Sequence, residues 1–338
     1  MPEQTSIQYF DLGNFQLSTG FILPNATLAY KTYGNLNEAK SNAILFPHFL
    51  GGSPDALEMY IGEDRPFDPR RHFIILPAVI GGGLSSSPSN AAAPFNAGAF
   101  PATNISDDVI AQHRLLTEEF DIHQLQLVLG WSLGALQTYE WAVRFPNMVR
   151  RAASISGAPK PSSWTRLWLR LLLEEPILSE PAWNNGFYTN PQALQSGARR
   201  QGQGTAITLP PDGFYREEIW RDMGFISADD FISRFWEAFW LTLDPNDFIT
   251  QSRKTRAADP SNGGDLTAAL GRITAEMFVI SFTGDVMFPP EECKLDAERI
   301  PNAQFREISS VSGHLTTFSL TEQDAQVMDD ILRELVAE

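Results

Sequence analysis

Leu125-Gln-Leu-Val-Leu-Gly-Trp-Ser-Leu-Gly134 is an apolar run that leads into a Gly-x-Ser-x-Gly pattern, and helical spacing follows from Leu133 to Phe145. Such a run predicts a strand buried on both faces of a parallel sheet. The turn from strand to helix is tight and leaves little room for a Cβ atom, which explains the two glycines. Ser132 would then lie at the carboxyl edge of the sheet, before a helix N-terminus that favours negative charge. We predict that Ser132 is a nucleophile, although a tight turn with a solvated serine has the same pattern.

Further apolar runs lie on both sides of this stretch and alternate with segments of helical spacing. The alternation predicts an α/β fold with a doubly wound, mostly parallel sheet. The helix before the Ser132 strand is predicted to begin with Ser106 as its N-cap, because two acidic residues follow. The other predicted strands are 26–33, 43–50, 73–80, 151–157, 277–282 and 305–308, and the other predicted helices are 289–299 and 321–336.

The alternation is interrupted between residues 160 and 265, in a segment that holds six of the eight tryptophans and has mostly helical spacing. We predict that residues 160–265 form an inserted helical lid on a core made of residues 1–159 and 266–338. Apolar side chains of the segment could line an acyl pocket, or pack on the core or on a second subunit. They form two stripes: Trp164, Leu167, Trp168, Leu171 and Leu172, then Phe231, Phe235, Phe239 and Leu243.

A nucleophilic serine needs a base and a group that orients the base. His314 directly follows the last predicted strand, and Asp285 ends the strand before it. A neutral imidazole at His314 can take the serine proton, and a carboxylate at Asp285 can fix its tautomer. An aspartate after a strand is also a common turn residue. The assignment therefore rests on the three residue types occurring in the order serine, aspartate, histidine, each at a strand's carboxyl end.

Two backbone N–H groups should stabilise the oxyanion of such a reaction. One is that of Leu133, directly after the nucleophile. The other is expected from the loop 47–52, where we choose Leu50 with Phe49 as the alternative. His48 could order this loop.

Composition excludes several classes of function. With 25 basic and 41 acidic residues the chain has a formal net charge of −16, which argues against binding nucleic acid or anionic membranes. Cys293 is the lone cysteine and lies between acidic residues, so it is a poor nucleophile. No zinc or nucleotide motif occurs, and we expect neither metal nor cofactor. The N-terminus lacks a signal peptide and no apolar run could span a membrane, which favours a cytoplasmic protein.

Several segments together resemble the homoserine O-acetyltransferase family of α/β hydrolases, and more narrowly its esterase-like branch. The likeness covers nearly the whole chain and is weakest in residues 160–230. It implies an acyl-enzyme on Ser132 with Asp285 and His314, and a homodimer formed through the lid. The segments that carry it are 48–52, 83–90, 100–109, 130–142, 243–248, 285–290 and 313–314.

One departure from the family bears on the substrate. The acetyltransferases have an aspartate directly after the histidine that helps to hold homoserine, and here the residue is Leu315. By the same resemblance, Arg199 or Arg200 would bind the homoserine carboxylate. We therefore expect a hydrolase that cleaves small-molecule esters with a small acyl group. The alternatives are an acyl-CoA-dependent O-acyltransferase with the same triad and a non-catalytic binding protein, although the latter usually lacks a triad member.

Overall fold

The apolar runs form the centre of an eight-stranded sheet in the computed structural model, which describes residues 5–337. Its strand order is β1-β2-β4-β3-β5-β6-β7-β8, with β1, β2 and β4 paired antiparallel and the remaining neighbours parallel. The predicted α/β fold with a mostly parallel sheet is thereby confirmed. The strands are β1 (Gln8–Gln16), β2 (Ile22–Tyr33), β3 (Ala43–Leu45), β4 (Phe73–Pro77), β5 (Leu125–Trp131), β6 (Val149–Ile155), β7 (Glu276–Phe282) and β8 (Ala303–Ile308).

Both faces of the sheet are buried, which is why its central strands are apolar without alternation. In β5, Leu127, Leu129 and Trp131 belong to the core on one face. Val128, whose side chain points the opposite way, belongs to the core on the other face. Since successive side chains of a strand point to opposite faces, a strand covered on both sides is apolar throughout.

Helices cover both faces, and α3 to α10 lie between β6 and β7, where the sequence predicts the helical insertion. π-helical turns join α3 to α4 and α7 to α8. In the described part of the chain, no helix has the length and apolar character needed to cross a membrane. The helices are α1 (Ile105–Arg114), α2 (Leu133–Arg144), α3 (Ser163–Trp168), α4 (Glu175–Leu178), α5 (Gln195–Thr208), α6 (Asp212–Arg216), α7 (Ala228–Phe231), α8 (Ala238–Leu241), α9 (Pro245–Ala257), α10 (Leu266–Leu270), α11 (Pro290–Ala297) and α12 (Glu322–Val336).

The N-terminus of α1 corrects the predicted cap. The prediction that Ser106 is the N-cap is wrong, because α1 already begins at Ile105 and Asn104 is the cap residue. The Asp107 carboxylate accepts a hydrogen bond of 2.7 Å from the Asn104 N–H. Asparagine caps helices as well as serine does. Asn104, with the acidic Asp107 three positions later, is therefore a complete start signal that lies two residues before Ser106.

The two apolar stripes of the insertion have different surroundings. In the first, Trp168 is buried, whereas Trp164, Leu167 and Leu171 are 54%, 46% and 49% exposed. The second stripe is packed into the core, with Phe231 fully buried. Helical spacing therefore identifies the stripes, but it does not distinguish a buried face from an exposed one.

Candidate active site

Ser132 lies at the tight turn between β5 and α2 in a backbone conformation that few non-glycine residues adopt. Its φ is 52° and its ψ is −122°. Its N–H donates to the carbonyls of Ile155 and Ser156, at 3.2 and 3.1 Å, at the end of the neighbouring strand β6. Such strain persists only where the surrounding structure enforces it, and it is typical of a nucleophile on a strand-to-helix turn.

The glycines on either side of Ser132 are required by space. A Cβ atom on Gly130 would lie 2.5 Å from the carbonyl carbon of Gly134. A Cβ atom on Gly134 would lie 2.4 Å from the carbonyl oxygen of Pro47. Both distances are well below van der Waals contact. The absence of a side chain at Gly134 therefore allows the loop 47–52 to approach the nucleophile turn closely.

Asp285 and His314, which are 29 residues apart in sequence, form a buried hydrogen-bonded pair. His314 Nδ1 lies 2.8 Å from Asp285 Oδ2, and Asp285 Oδ1 accepts from the N–H groups of Met287 and Phe288 at 2.9 Å each. An ionised carboxylate only accepts, so it places the imidazole proton on Nδ1. Nε2 is then free to accept a proton from a nucleophile.

Ser132, Asp285 and His314 follow the carboxyl ends of β5, β7 and β8, and each is at most 5% exposed. The structure thus joins the predicted base and acid directly. Among residues 5–337, the only side-chain hydrogen bond of His314 is that to Asp285, so the contact with Ser132 stays a prediction. Catalytic hydrogen bonds are often long without substrate and shorten in the reacting complex.

His48 orders the loop that contains the predicted oxyanion donor Leu50. Its Nδ1 lies 2.8 Å from the carbonyl oxygen of Phe49, and its Nε2 accepts from the Val79 N–H at 3.2 Å. The Gly52 N–H also donates to the Phe49 carbonyl, at 3.0 Å. Because a trans peptide group is planar with its C=O and N–H antiparallel, holding the Phe49 oxygen also sets the direction of the Leu50 N–H.

Leu133, the second predicted donor, is the first residue of α2. The first N–H groups of a helix have no partner within the helix, so this one is available to an oxyanion. The assignments of Leu50 and Leu133 stay predictions.

Burial of the His48 ring lowers its pKa from 6.5 to about 4; the hydrogen bond with the Phe49 carbonyl opposes this lowering, and the charge of Lys254 adds a smaller one. The unfolded chain therefore binds a proton that the folded chain does not, between pH 6.5 and 4. Because of His48, we expect the free energy of unfolding to fall by about 1.4 kcal/mol for each unit by which the pH drops through this range. Above the range, His48 should add nothing to the pH dependence of stability.

Urea unfolding of wild type and His48→Asn between pH 4 and 8 measures this contribution. Asparagine keeps a donor near the position of Nδ1 and does not titrate. The variant should lose stability less steeply below pH 6.5 than wild type does. Parallel pH dependences of the two proteins would show that His48 is not buried in its neutral form.

Comparisons with known proteins show which family the chain resembles. The sequence model of the alpha/beta hydrolase fold matches residues 42–318. The chain is 39% identical to an ethyl acetate hydrolase of Pseudomonas veronii over 98% of this chain and 95% of that protein. It is 30% identical to a homoserine O-acetyltransferase of Leptospira biflexa over 97% of this chain and 93% of that protein. The solved structure of the acetyl esterase MekB is 38% identical and covers 99% of this chain and 97% of its own, with a TM-score of 0.96.

The chain belongs to the α/β-hydrolase family. The predicted resemblance to the homoserine O-acetyltransferases and their esterase-like branch is confirmed. The prediction of a carboxylic ester hydrolase or related acyltransferase is confirmed with it.

The three residues predicted to contact substrate in this hydrolase have other partners. Leu315 is fully buried in the core. Arg199 pairs with Glu237 at 2.6 Å, and Arg200 pairs with Glu180 at 2.5 Å, so both guanidinium groups are engaged by carboxylates of the insertion. The roles of Leu315, Arg199 and Arg200 in substrate binding stay predictions.

A cavity of about 530 Å³ in the hydrolase lies where the loop 47–52 meets the insertion. Phe49, Gly51 and Gly52 line one side, and Phe239, Leu243, Asp247 and Gln251 line the other. Burial raises the pKa of Asp247 to about 7. Asp247 and Gln251 belong to α9. Asp247 lies in the segment 243–248 that carries the family resemblance, whereas no local sequence signal points to Gln251, which reaches this site only through the packing of distant segments.

Proposed function

We propose that this enzyme hydrolyses carboxylic esters with a small acyl group through an acyl-enzyme on Ser132. The observation that carries the proposal is the Asp285–His314 pair, whose geometry leaves Nε2 of the imidazole as a proton acceptor at the same sheet edge as Ser132. This arrangement is what a serine nucleophile needs, since its hydroxyl is weakly nucleophilic without a base. The strained backbone at Ser132 supports the same assignment.

The reaction then follows in two halves. Ser132 Oγ attacks the ester carbonyl while His314 Nε2 takes its proton, and the oxyanion accepts hydrogen bonds from the Leu50 and Leu133 N–H groups. The ester C–O bond breaks and His314 returns the proton to the leaving alcohol. Water next attacks the acyl-enzyme and gives a proton to His314. Collapse releases the carboxylic acid and restores the serine hydroxyl.

Water rather than homoserine is the proposed acceptor. An amino-acid acceptor brings an ammonium group whose burial without a carboxylate partner costs several kcal/mol, and Leu315 supplies no carboxylate. Arg199 and Arg200 are already paired within the insertion. No lysine or arginine lines the cavity beside the loop 47–52, so this cavity offers no cationic partner to the phosphates of an acyl-CoA donor. Its two carboxylates, Asp244 and Asp247, already accept hydrogen bonds from Tyr188 and Ser89. The naming of similar proteins as an ethyl acetate hydrolase and an acetyl esterase supports acetate esters as substrates.

Residues 160–265 are proposed to act as a lid, since α8 and α9 of this segment border the cavity next to the loop 47–52. A homodimer and a cytoplasmic location remain proposals that rest on the resemblance and on the sequence.

Purified enzyme is expected to hydrolyse short-chain uncharged esters such as ethyl acetate, and to form little O-acetylhomoserine from acetyl-CoA and homoserine. Chromatography of the products of both reactions measures the rate of ester hydrolysis against that of acetyl transfer. Leu315→Asp alone should not confer acetyl transfer, because Arg199 and Arg200, the two arginines considered for the homoserine carboxylate, are each paired with a carboxylate of the insertion. Efficient transfer to homoserine by the unmodified enzyme, with slow ester hydrolysis, would establish the acyltransferase instead.

A further inference from the structure

Gln251 connects the inserted helix α9 to the loop that holds the proposed oxyanion donor. Its Oε1 accepts from the Gly51 N–H at 3.1 Å, across 200 residues of sequence. Its Nε2 donates to the Asp247 carbonyl at 3.4 Å, and its side chain is 3% exposed. We propose that Gln251 is a positioning residue for the oxyanion hole. The inference rests on the proposed function, in which the Leu50 N–H stabilises the oxyanion.

The peptide groups on both sides of Leu50 are held by side chains. The group before it is fixed at the Phe49 oxygen by His48, and the group after it is fixed at the Gly51 N–H by Gln251. Because each peptide group is planar, these two restraints together remove the rotational freedom of Leu50. Gly51 has a φ of +74°, and glycine rotates more freely than other residues. Without Gln251 the loop would lose a restraint at a glycine, the residue type whose backbone is least restricted by its own side chain.

The helix that carries Gln251 is itself fixed to the core. Lys254 is fully buried. It lies three residues further along α9 than Gln251 and therefore on the same face of the helix. Its Nζ lies 2.6 Å from Asp108 Oδ2 and 2.7 Å from the Ile80 carbonyl oxygen. Asp108 Oδ1 accepts from the Ile80 N–H at 2.8 Å. Ile80 follows Val79, the donor to His48, so both restraints on the loop share one anchor just after β4.

The insertion also packs directly on the loop, and a test must separate packing from the hydrogen bond. A Cβ atom on Gly51 would lie 3.2 Å from both Leu243 and Phe239. Gln251→Met keeps the length and burial of the side chain but removes the acceptor. Gln251→Glu keeps an oxygen that can accept from the Gly51 N–H, and in its neutral form its O–H can replace Nε2 as the donor to the Asp247 carbonyl.

The experiment measures kcat and KM for a short-chain ester, and the affinity for a boronic acid that forms a tetrahedral adduct with the serine. Loss of an oxyanion donor lowers kcat by about 10²- to 10³-fold, so its misalignment in Gln251→Met should cost roughly 10- to 100-fold. KM should change by less than about threefold, because the interaction is made in the transition state. Boronate affinity should fall by the same factor as kcat, and Gln251→Glu should recover most of both.

Ser252→Ala is the matched control. Ser252 is the next residue of α9, is fully buried, and donates to Glu174 at 2.9 Å, away from the loop. We expect it to leave kcat unchanged while reducing stability in urea as much as Gln251→Met does.

The proposal is wrong if Gln251→Met retains kcat and boronate affinity within about threefold of wild type, or if Ser252→Ala lowers kcat equally. Should Gln251→Met fail to fold, Gln251→Glu decides alone, since a folded variant below about a tenth of wild-type kcat would contradict the proposal. Ester hydrolysis that survives in Ser132→Ala would instead contradict the proposed function. The two failures are therefore distinguishable.

Discussion

Ser132→Ala is expected to lower kcat for ester hydrolysis by about 10⁶-fold, because only the oxyanion hole and substrate binding would continue to contribute. The fold should persist. The contacts that fix the turn are made by the Ser132 N–H, which alanine retains, and alanine meets the same backbone strain at a φ of 52°. Steady-state rates with a short-chain ester, together with urea unfolding, measure both parts of this expectation.

Ser156→Ala is the control for this substitution. Ser156 lies at the end of β6 beside the nucleophile turn, is fully buried, and receives the Ser132 N–H on its carbonyl oxygen. Its loss should leave most of the activity. Covalent labelling by a fluorophosphonate should disappear in Ser132→Ala and persist in Ser156→Ala. Labelling of Ser132→Ala at the wild-type rate would mean that another residue is the nucleophile.

The sequence predicts the central strands and the turn at Ser132 because these are local properties of the chain. A sheet that is covered on both faces has strands that are apolar throughout, and a tight chain reversal between strand and helix requires glycine. Both features can be read from a short stretch of sequence. By contrast, β1 is absent from the sequence prediction. Its buried and exposed positions alternate imperfectly, since its pairing with β2 shifts register on either side of Gly13.

The contacts that organise the oxyanion loop could not be predicted in the same way. Gln251 and Gly51 are 200 residues apart, and Lys254 and Asp108 are 146 residues apart. The sequence around Gln251 and Lys254 does not distinguish either residue from an ordinary one on a polar helix face. The chain order of Ser132, Asp285 and His314, in comparison, is a property that the sequence itself displays, and the structure brings two of these residues into contact.

Asp285→Asn is expected to lower kcat by about 10⁴-fold while leaving the fold intact, because it reverses the tautomer of His314. In wild type, Oδ1 accepts from the Met287 and Phe288 N–H groups and Oδ2 faces His314 Nδ1. Asparagine can satisfy the two backbone donors only with its carbonyl oxygen, which turns its NH₂ group toward the imidazole. Nδ1 must then accept, so the proton moves to Nε2 and the ring can no longer take the Ser132 proton.

Asp296→Asn is the matched control, because it makes the same change at another buried aspartate. Asp296 lies on α11, is 8% exposed, and pairs with Arg299. This variant should retain activity.

Rates of both variants, with ¹⁵N NMR of the histidine rings to report which nitrogen carries the proton, test the mechanism and the tautomer separately. In Asp285→Asn we expect the proton of His314 on Nε2. A variant that keeps the Nδ1 proton and still loses activity would show that Asp285 acts through its charge on the imidazolium rather than through the tautomer. Activity within about tenfold of wild type would remove Asp285 from the triad altogether.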